Sequence, residues 1–432
     1  MSSSSSDEND EIEERLDDII EDFIDEIYDD IVEAEPIPQR TRSYTERHRE
    51  GGQHQLSNDY FNDDHSIYSI QTFRRRFRMN KGLFIRIVDG LEQFFPFFQQ
   101  RKDATGRWGL TALQKCTAAI RLLAYGNSAD TVDEYLRLGE STALSCLHHF
   151  TDGIIQLFGD EYLRRPTAED LQRLLDMGEK RGFPGMVGSI DCMHWEWKNC
   201  PTAWKGQYAR GHGKPTIVLE AVASQDLWIW HAFFGLPGTL NDLNVLDRSP
   251  LFDDLLEGRA PRVRYMVNNH MYKLAYYLTD GIYPKWSTFI QTITLPQSPK
   301  QQLFAQVQES IRKDVERAFG VLQARFAIVK NPVRTMAKEK IRKIMRACII
   351  LHNMIVEDER DGYSMRYEIS EFEEGESSRT SKVLNATPTL NEIPTILNNI
   401  FPNRNDLRDR QTHERLKNDL IENIWNKFGD ED

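Results

Sequence analysis

The chain has 432 residues, 40% of them hydrophobic, with 54 Lys or Arg against 67 Asp or Glu and a net charge of −13. That length predicts two or three folded units. No run of eighteen apolar residues occurs, which predicts no membrane-spanning helix, and the polar, acidic N-terminus is unlike a secretory signal. Five scattered cysteines (Cys116, Cys146, Cys192, Cys200, Cys348) form no CxxC pair, which points to a reducing compartment and away from a disulfide framework or zinc finger.

The acid is concentrated at the start. Residues 1–35 hold sixteen Asp or Glu and one Arg, so the remainder carries +2, the difference between −13 and −15. Ile12, Leu16, Ile19, Phe23, Ile27 and Ile31 recur at helical spacing there, an amphipathic helix with a carboxylate face. Its expected role is packing or partner docking. Residues 36–70 read as a polar linker. The next stretch, SIQTFRRRFRMNKGLF, interleaves Arg74, Arg75, Arg76 and Arg78 with Phe73 and Phe77. Such a patch can bind phosphate, or it can be the polar face of a helix whose phenylalanines are core.

Residues 71–165 read as a helical domain. Gly126-Asn127-Ser128 ends one helix, ADTVDEYLRL forms a second, and STALSCLHHFTDGI forms a third with Ser141 as its expected N-cap. The order resembles a helix-turn-helix, although the third helix lacks Arg and Lys.

From residue 166 the texture changes. MVGSIDCMHWEW, PTIVLEAVAS and LWIWHAFFG read as three antiparallel strands. Asp191 is expected at the end of the first. Between the first two lies a basic, aromatic segment with Lys205, Arg210 and Lys214, candidates with His194 and His212 to line a nucleic-acid path. The spacing of Cys192, His194, Cys200 and His212 matches no zinc-ligand pattern. GLPGTLNDLNVL is a loop entering a short helix, with Asp242 suited to capping. YMVNNHMYKLAYYLTDGIYP is expected to supply one further strand closing at Asp280. Glu316 lies in the helical run IRKDVERAFGVLQARF, where Asp314 faces another side and Arg317 and Arg325 can contact phosphate or pair with acids. Residues 361–385 read as disordered, and 386–432 end in a docking helix with Leu416, Leu420, Ile421, Ile424, Trp425 and Phe428 on its apolar side.

Two strand-borne aspartates followed by a helical glutamate suit a pair of divalent cations on a nucleic-acid phosphate, because hard cations take carboxylate oxygens. The segments GSIDCMHW, GLPGTLNDLNVL, YYLTDGIYP, DVERAFGVLQARF and ACIILHNMIVEDE, in this order, resemble the Harbinger (PIF-like) DDE transposases in their plant form. The resemblance covers roughly residues 40–360. It implies an α/β, RNase H-like catalytic domain over 166–360 with a mixed five-stranded sheet. It implies catalytic, metal-binding Asp191, Asp280 and Glu316, with Asp242 accessory, and Mg²⁺ or Mn²⁺ as cofactor. It implies cutting of double-stranded DNA at terminal inverted repeats and joining of 3′ ends to target DNA, a nuclear location and a Myb-like partner protein. The oligomeric state stays open. The competing expectation is a domesticated transposase that serves as a nuclear chromatin- or DNA-binding partner without catalysis.

Overall fold

The computed structural model describes residues 46–62, 65–210, 213–251, 262–331, 337–360 and 409–429. The acidic helix, the 361–385 segment and His212 lie outside the described residues. The chain divides between His48 and Arg49, and everything below belongs to the part from Arg49 onward.

Helices come first. Part of the expected linker is helical, Arg49–Leu56 followed by a π-helical turn Ser57–Phe61, and it buries Leu56 and Tyr60. The helix Ile70–Phe77 starts on Ser69, whose side chain accepts the Thr72 amide at 3.3 Å, and stops where Arg78 turns left-handed at φ 65°. One turn separates Phe73 from Phe77, so their rings stack at 4.1 Å and join Tyr60, Phe61 and Phe84 in one aromatic cluster. The FRRRF pattern is therefore a core-facing phenylalanine pair with arginines around it.

The helix Ala112–Tyr125 has a capping box on Thr111 and Gln114 and ends, as expected, at Gly126 with φ 60°. A Cβ at Gly126 would lie 2.8 Å from the Ala327 carbonyl oxygen, so glycine is needed for close approach as well as for the turn. The next stretch is only a 3₁₀ turn Ala129–Val132 and a helical turn Asp133–Leu136. The long helix Glu140–Tyr162 is capped by Gly139, not Ser141, which falls inside it. It packs against Ala112–Tyr125 and Lys338–Arg360 through Cys146, Leu147, Phe150 and Ile154, all buried. Its apolar side is committed to the core.

A helix Ala168–Lys180 then leads into the sheet. Five strands are ordered β3-β2-β1-β6-β7: β1 Met186–Glu196, β2 Thr216–Ala223, β3 Ile229–Pro237, β6 Tyr276–Thr279 and β7 Phe289–Gln291. As expected, β1, β2 and β3 are antiparallel neighbours; β6 and β7 add in parallel. β2 is buried along nearly its whole length, which explains its unbroken apolar run.

Two expectations change here. The 265–284 region is not a single strand: β4 Arg262–Val267 and β5 His270–Leu274 pair as a separate hairpin, and β6 follows. Asn268 and Asn269 make the turn at φ 47° and 64°, the left-handed pair that a two-residue hairpin requires and Asn tolerates. Asp191 lies in the middle of β1, not at its end.

The helix Pro299–Arg325 starts on Ser298 with Pro at its first turn and packs on β1, β2 and β6. Lys338–Arg360 covers β3 and the 140–162 helix. Arg410–Phe428 docks against the 299–325 helix, β4 and β7, burying Leu416, Leu420, Ile421 and Ile424 as the periodicity predicts. One hydrophobic cluster runs from Leu56 through Phe150 to Ile190 and Leu351, so the helical part and the sheet share a core across residue 165.

Candidate active site

Strand register assembles the site. β1 and β6 run parallel with Ser189 opposite Leu278. Two residues further along each strand stand Asp191 and Asp280. The parallel course of the strands brings these carboxylates to neighbouring positions where β6 ends. Above them runs the 299–325 helix, held to β1 where the Ser189 hydroxyl donates to the Ile311 carbonyl at 3.3 Å. Arg312 and Glu316 follow on that helix.

The Asp191 carboxylate is held at both oxygens. Its Oδ1 accepts the Cys192 amide at 2.8 Å, and its Oδ2 accepts Nη1 of Arg312 at 2.9 Å. Nη2 of Arg312 pairs with Oε1 of Glu316 at 2.9 Å, one turn on. Asp191 and Glu316 are therefore joined through one guanidinium. Burial pushes the Asp191 carboxyl up to about 6; the negative charges of Asp242 and Asp280 add to the rise, and Arg312 opposes it.

Asp280 accepts the Ile282 amide at 3.0 Å, inside the Gly-Ile-Tyr-Pro turn, and burial raises its pKa. Asp242 opens the short helix Asp242–Leu246, whose cap is Asn241, accepting the Asn244 amide at 2.9 Å. Capping thus falls to Asn241, which frees Asp242 to face the site. Its carboxyl is pushed up to about 6 by burial first, then by the charge of Asp280, while the Cys192 thiol and Arg210 pull the other way. The three aspartates sit in one electrostatic neighbourhood.

All these donors are hard oxygens, the type Mg²⁺ and Mn²⁺ take. Carboxylates that raise one another's pKa gain from an added cation, so the residues fit a divalent ion in chemistry. Among the described residues, no three His, Cys, Asp or Glu side chains stand together as a ready metal-holding group. Oδ2 of Asp191 and Oε1 of Glu316 are instead engaged by the Arg312 guanidinium.

The other expected residues differ in burial and in partners. Arg74 pairs with Glu359 at 2.9 Å, Arg76 lies 4.2 Å over the Tyr68 ring, and Arg78 is buried near Tyr125. Arg75 is exposed. Near the acids, Arg210 donates to the carbonyls of Thr239 and Leu240 at 3.2 and 2.8 Å, tying the basic segment to the loop before Asp242. Lys205 is exposed, and Lys214 reaches Glu196 at 3.1 Å. Asp314 is buried against Arg181 and Arg317, away from the acidic group, and Arg325 is buried against Glu359.

Sequence reasoning missed Arg312, whose signal was its position four residues before Glu316. It also missed a buried network on β2. Glu220 shares its Oε2 with the Ser249 hydroxyl and with Nε2 of His231 at 3.2 Å, fastening the segment that follows Asp242. The β2–β3 register brings His231 near Glu220, and the packing of the short helix Asp242–Leu246 on β2 brings Ser249 from 29 residues away.

Residues 160–363 match the family model described as plant transposon protein, and residues 52–92 match a domain of unknown function. The human protein HARBI1, named as a candidate nuclease, is 22% identical over 251 residues, 57% of this chain and 68% of its own. The Arabidopsis thaliana protein ALP1-like is 22% identical over 294 residues, 67% of this chain and 71% of its own. The Arabidopsis protein called antagonist of like heterochromatin protein 1 is 21% identical over 257 residues, 57% of this chain and 63% of its own. No solved structure matches the chain. Over residues 160–363, the stretch that holds the acidic site and the five-stranded mixed sheet, the chain is similar to the Harbinger-derived plant transposon proteins.

Proposed function

We propose that this protein is a divalent-metal-dependent DNA endonuclease and strand transferase of the Harbinger type, built on an RNase H-like domain. The single observation that carries the reading is the meeting of Asp191, Asp242 and Asp280 in one electronegative neighbourhood beneath the helix that bears Glu316. The mixed sheet with two parallel strands beside β1 supports the fold assignment. In this reading Asp191, Asp280 and Glu316 hold two Mg²⁺ or Mn²⁺ ions, with Asp242 beside them.

The bound ions supply positive charge that acidifies a water or 3′-hydroxyl nucleophile and offsets charge building on the phosphate. The protein's own contribution is positioning. β1 and β6 fix two carboxylates side by side, and the buried Asp242 raises the negative potential between them. Arg210, tied to the loop before Asp242, and the exposed Lys205 and Lys214 of the same segment contact the phosphates of the double-stranded substrate. A nuclear location and a Myb-like protein supplying much of the sequence recognition belong to the same proposal.

A second reading has its own support. Asp191 and Glu316 are both paired to Arg312, and one relative's name concerns heterochromatin. A domesticated, non-cutting chromatin partner is consistent with that. Cleavage separates the two. With Mn²⁺ present the purified full chain is expected to nick supercoiled DNA. Asp191→Asn is expected to lower the rate by several orders of magnitude, since charge stabilisation at such sites is worth several kcal/mol. Equal nicking by the Asn variant, or nicking unaffected by chelator, contradicts the nuclease reading.

A further inference from the structure

Arg312 sits where a cation is wanted. Its side chain is only 17% exposed and its guanidinium reaches two carboxylates on two elements, Asp191 on β1 and Glu316 on its own helix, each at 2.9 Å. An ordinary exposed i,i+4 pair has little consequence. This one bridges the sheet to the helix and takes up Oδ2 of Asp191, whose Oδ1 already accepts the Cys192 amide. Neighbouring guanidiniums are committed elsewhere: Arg181 and Arg317 both pair with Asp314. Arginine does not deprotonate in proteins, so this charge is permanent and can be removed from the site only by moving the side chain. Phosphate is a partner for which a guanidinium fork is well shaped.

We propose that Arg312 is a substrate-released latch: it bridges Asp191 and Glu316 while no DNA is bound, and a phosphate of incoming DNA draws it away, so that divalent cations load tightly only in the DNA complex. The proposal rests on Asp191 and Glu316 being cation donors. It adds a coupling between DNA and metal that the donor set alone does not require. By linkage each ligand strengthens the other's binding. The consequence is that the free protein loads divalent cations poorly.

Manganese binding tests this without measuring cleavage. The spectroscopic signal of free Mn²⁺ is titrated with the full chain, with and without a short blunt DNA duplex. Asp191→Asn with the same duplex measures the ions that DNA binds by itself. The wild-type protein is expected to bind Mn²⁺ on the order of tenfold more tightly with the duplex, a usual size for coupling between two ligands. Arg312→Gln is expected to bind tightly without DNA and to lose the difference. Arg312→Lys, which keeps the charge and loses the fork, is expected to fall between them and serves as the readout where the Gln variant does not fold. DNA-free binding by both folded variants no tighter than wild type overturns the latch. Failure of wild type and both variants to bind Mn²⁺ with duplex present, beyond the Asp191→Asn level, overturns instead the cation-donor reading beneath it.

Discussion

At the scale of single residues, the contrast between Asp314 and Glu316 is the sharpest. They lie two positions apart on one helix, yet Asp314 is buried between Arg181 and Arg317 while Glu316 is half exposed beside Arg312. Asp314→Ala leaves the mostly buried Arg181 without its partner and is expected to cost about 3 kcal/mol of stability. Its Mn²⁺ affinity should stay within about twofold of wild type, because residues two apart face different sides of a helix and Asp314 pairs with Arg181 and Arg317, not with the acidic group. Asp280→Asn should do the reverse, losing Mn²⁺ affinity with little change in stability. Urea melts and manganese titrations on the two variants check both halves. A metal-binding loss in Asp314→Ala as large as that in Asp280→Asn would reopen the choice of acid. That Asp280 closes a strand and Glu316 lies on a helix was legible, since each stands in a distinctive segment. The role of Asn241 as cap, which leaves Asp242 to the site, was not, because Asn and Asp both cap helices and only the resolved hydrogen bond to Asn244 chooses between them.

At the scale of elements, the strands with long apolar runs were readable and the short ones were not. β2 has eight residues, nearly all buried, and its sequence announces it. β7 has three, and a three-residue strand carries no periodicity. The β4–β5 hairpin had a signal in Asn268-Asn269 that a single apolar run hid. The basic segments differ for a packing reason. FRRRF must bury its phenylalanines, so Arg74 and Arg76 are drawn to Glu359 and Tyr68. The segment with Lys205 and Lys214 also buries an aromatic ring, Tyr208 against Trp197, but its two lysines stay exposed. Lys205→Ala combined with Lys214→Ala is therefore expected to flatten the salt dependence of DNA binding, by up to about 0.9 slope units per lost phosphate contact. Arg74→Ala should instead lower thermal stability with a smaller change in slope. Binding isotherms across a salt series and melting curves check this. An unchanged slope in the double variant would remove the two lysines from the DNA path.

At the scale of the whole molecule, one core joins the helical part to the sheet, and His352 stands within it. Its Nε2 donates to the Leu227 carbonyl at 2.8 Å, and its other ring nitrogen faces Arg325. Burial lowers its pKa from 6.5 to about 3, with the Arg325 charge adding to the fall. The folded state thus keeps it neutral where the unfolded chain binds a proton. Stability from this group is present above pH 6.5 and is lost as pH falls toward 3. In denaturant melts, the stability difference between wild type and His352→Gln should shrink as pH drops from about 7.5 to 4.5. A difference that stays constant would contradict the burial of a neutral ring. The family segments made the overall α/β architecture legible, whereas this shared core was not, because contacts such as Asn353 with Tyr162 and Ile229 join residues with no sequence pattern between them.

The central claim is that Asp191 and Asp280 hold a divalent cation at the end of β6. The most direct test is anomalous diffraction from crystals of the chain bound to duplex DNA and soaked in Mn²⁺. The account predicts a manganese peak at metal–oxygen contact, about 2.1 Å, from both carboxylates. It predicts Arg312 turned away from Asp191. A manganese site elsewhere, or none with Arg312 still bridging Asp191 and Glu316 in the DNA complex, would contradict it.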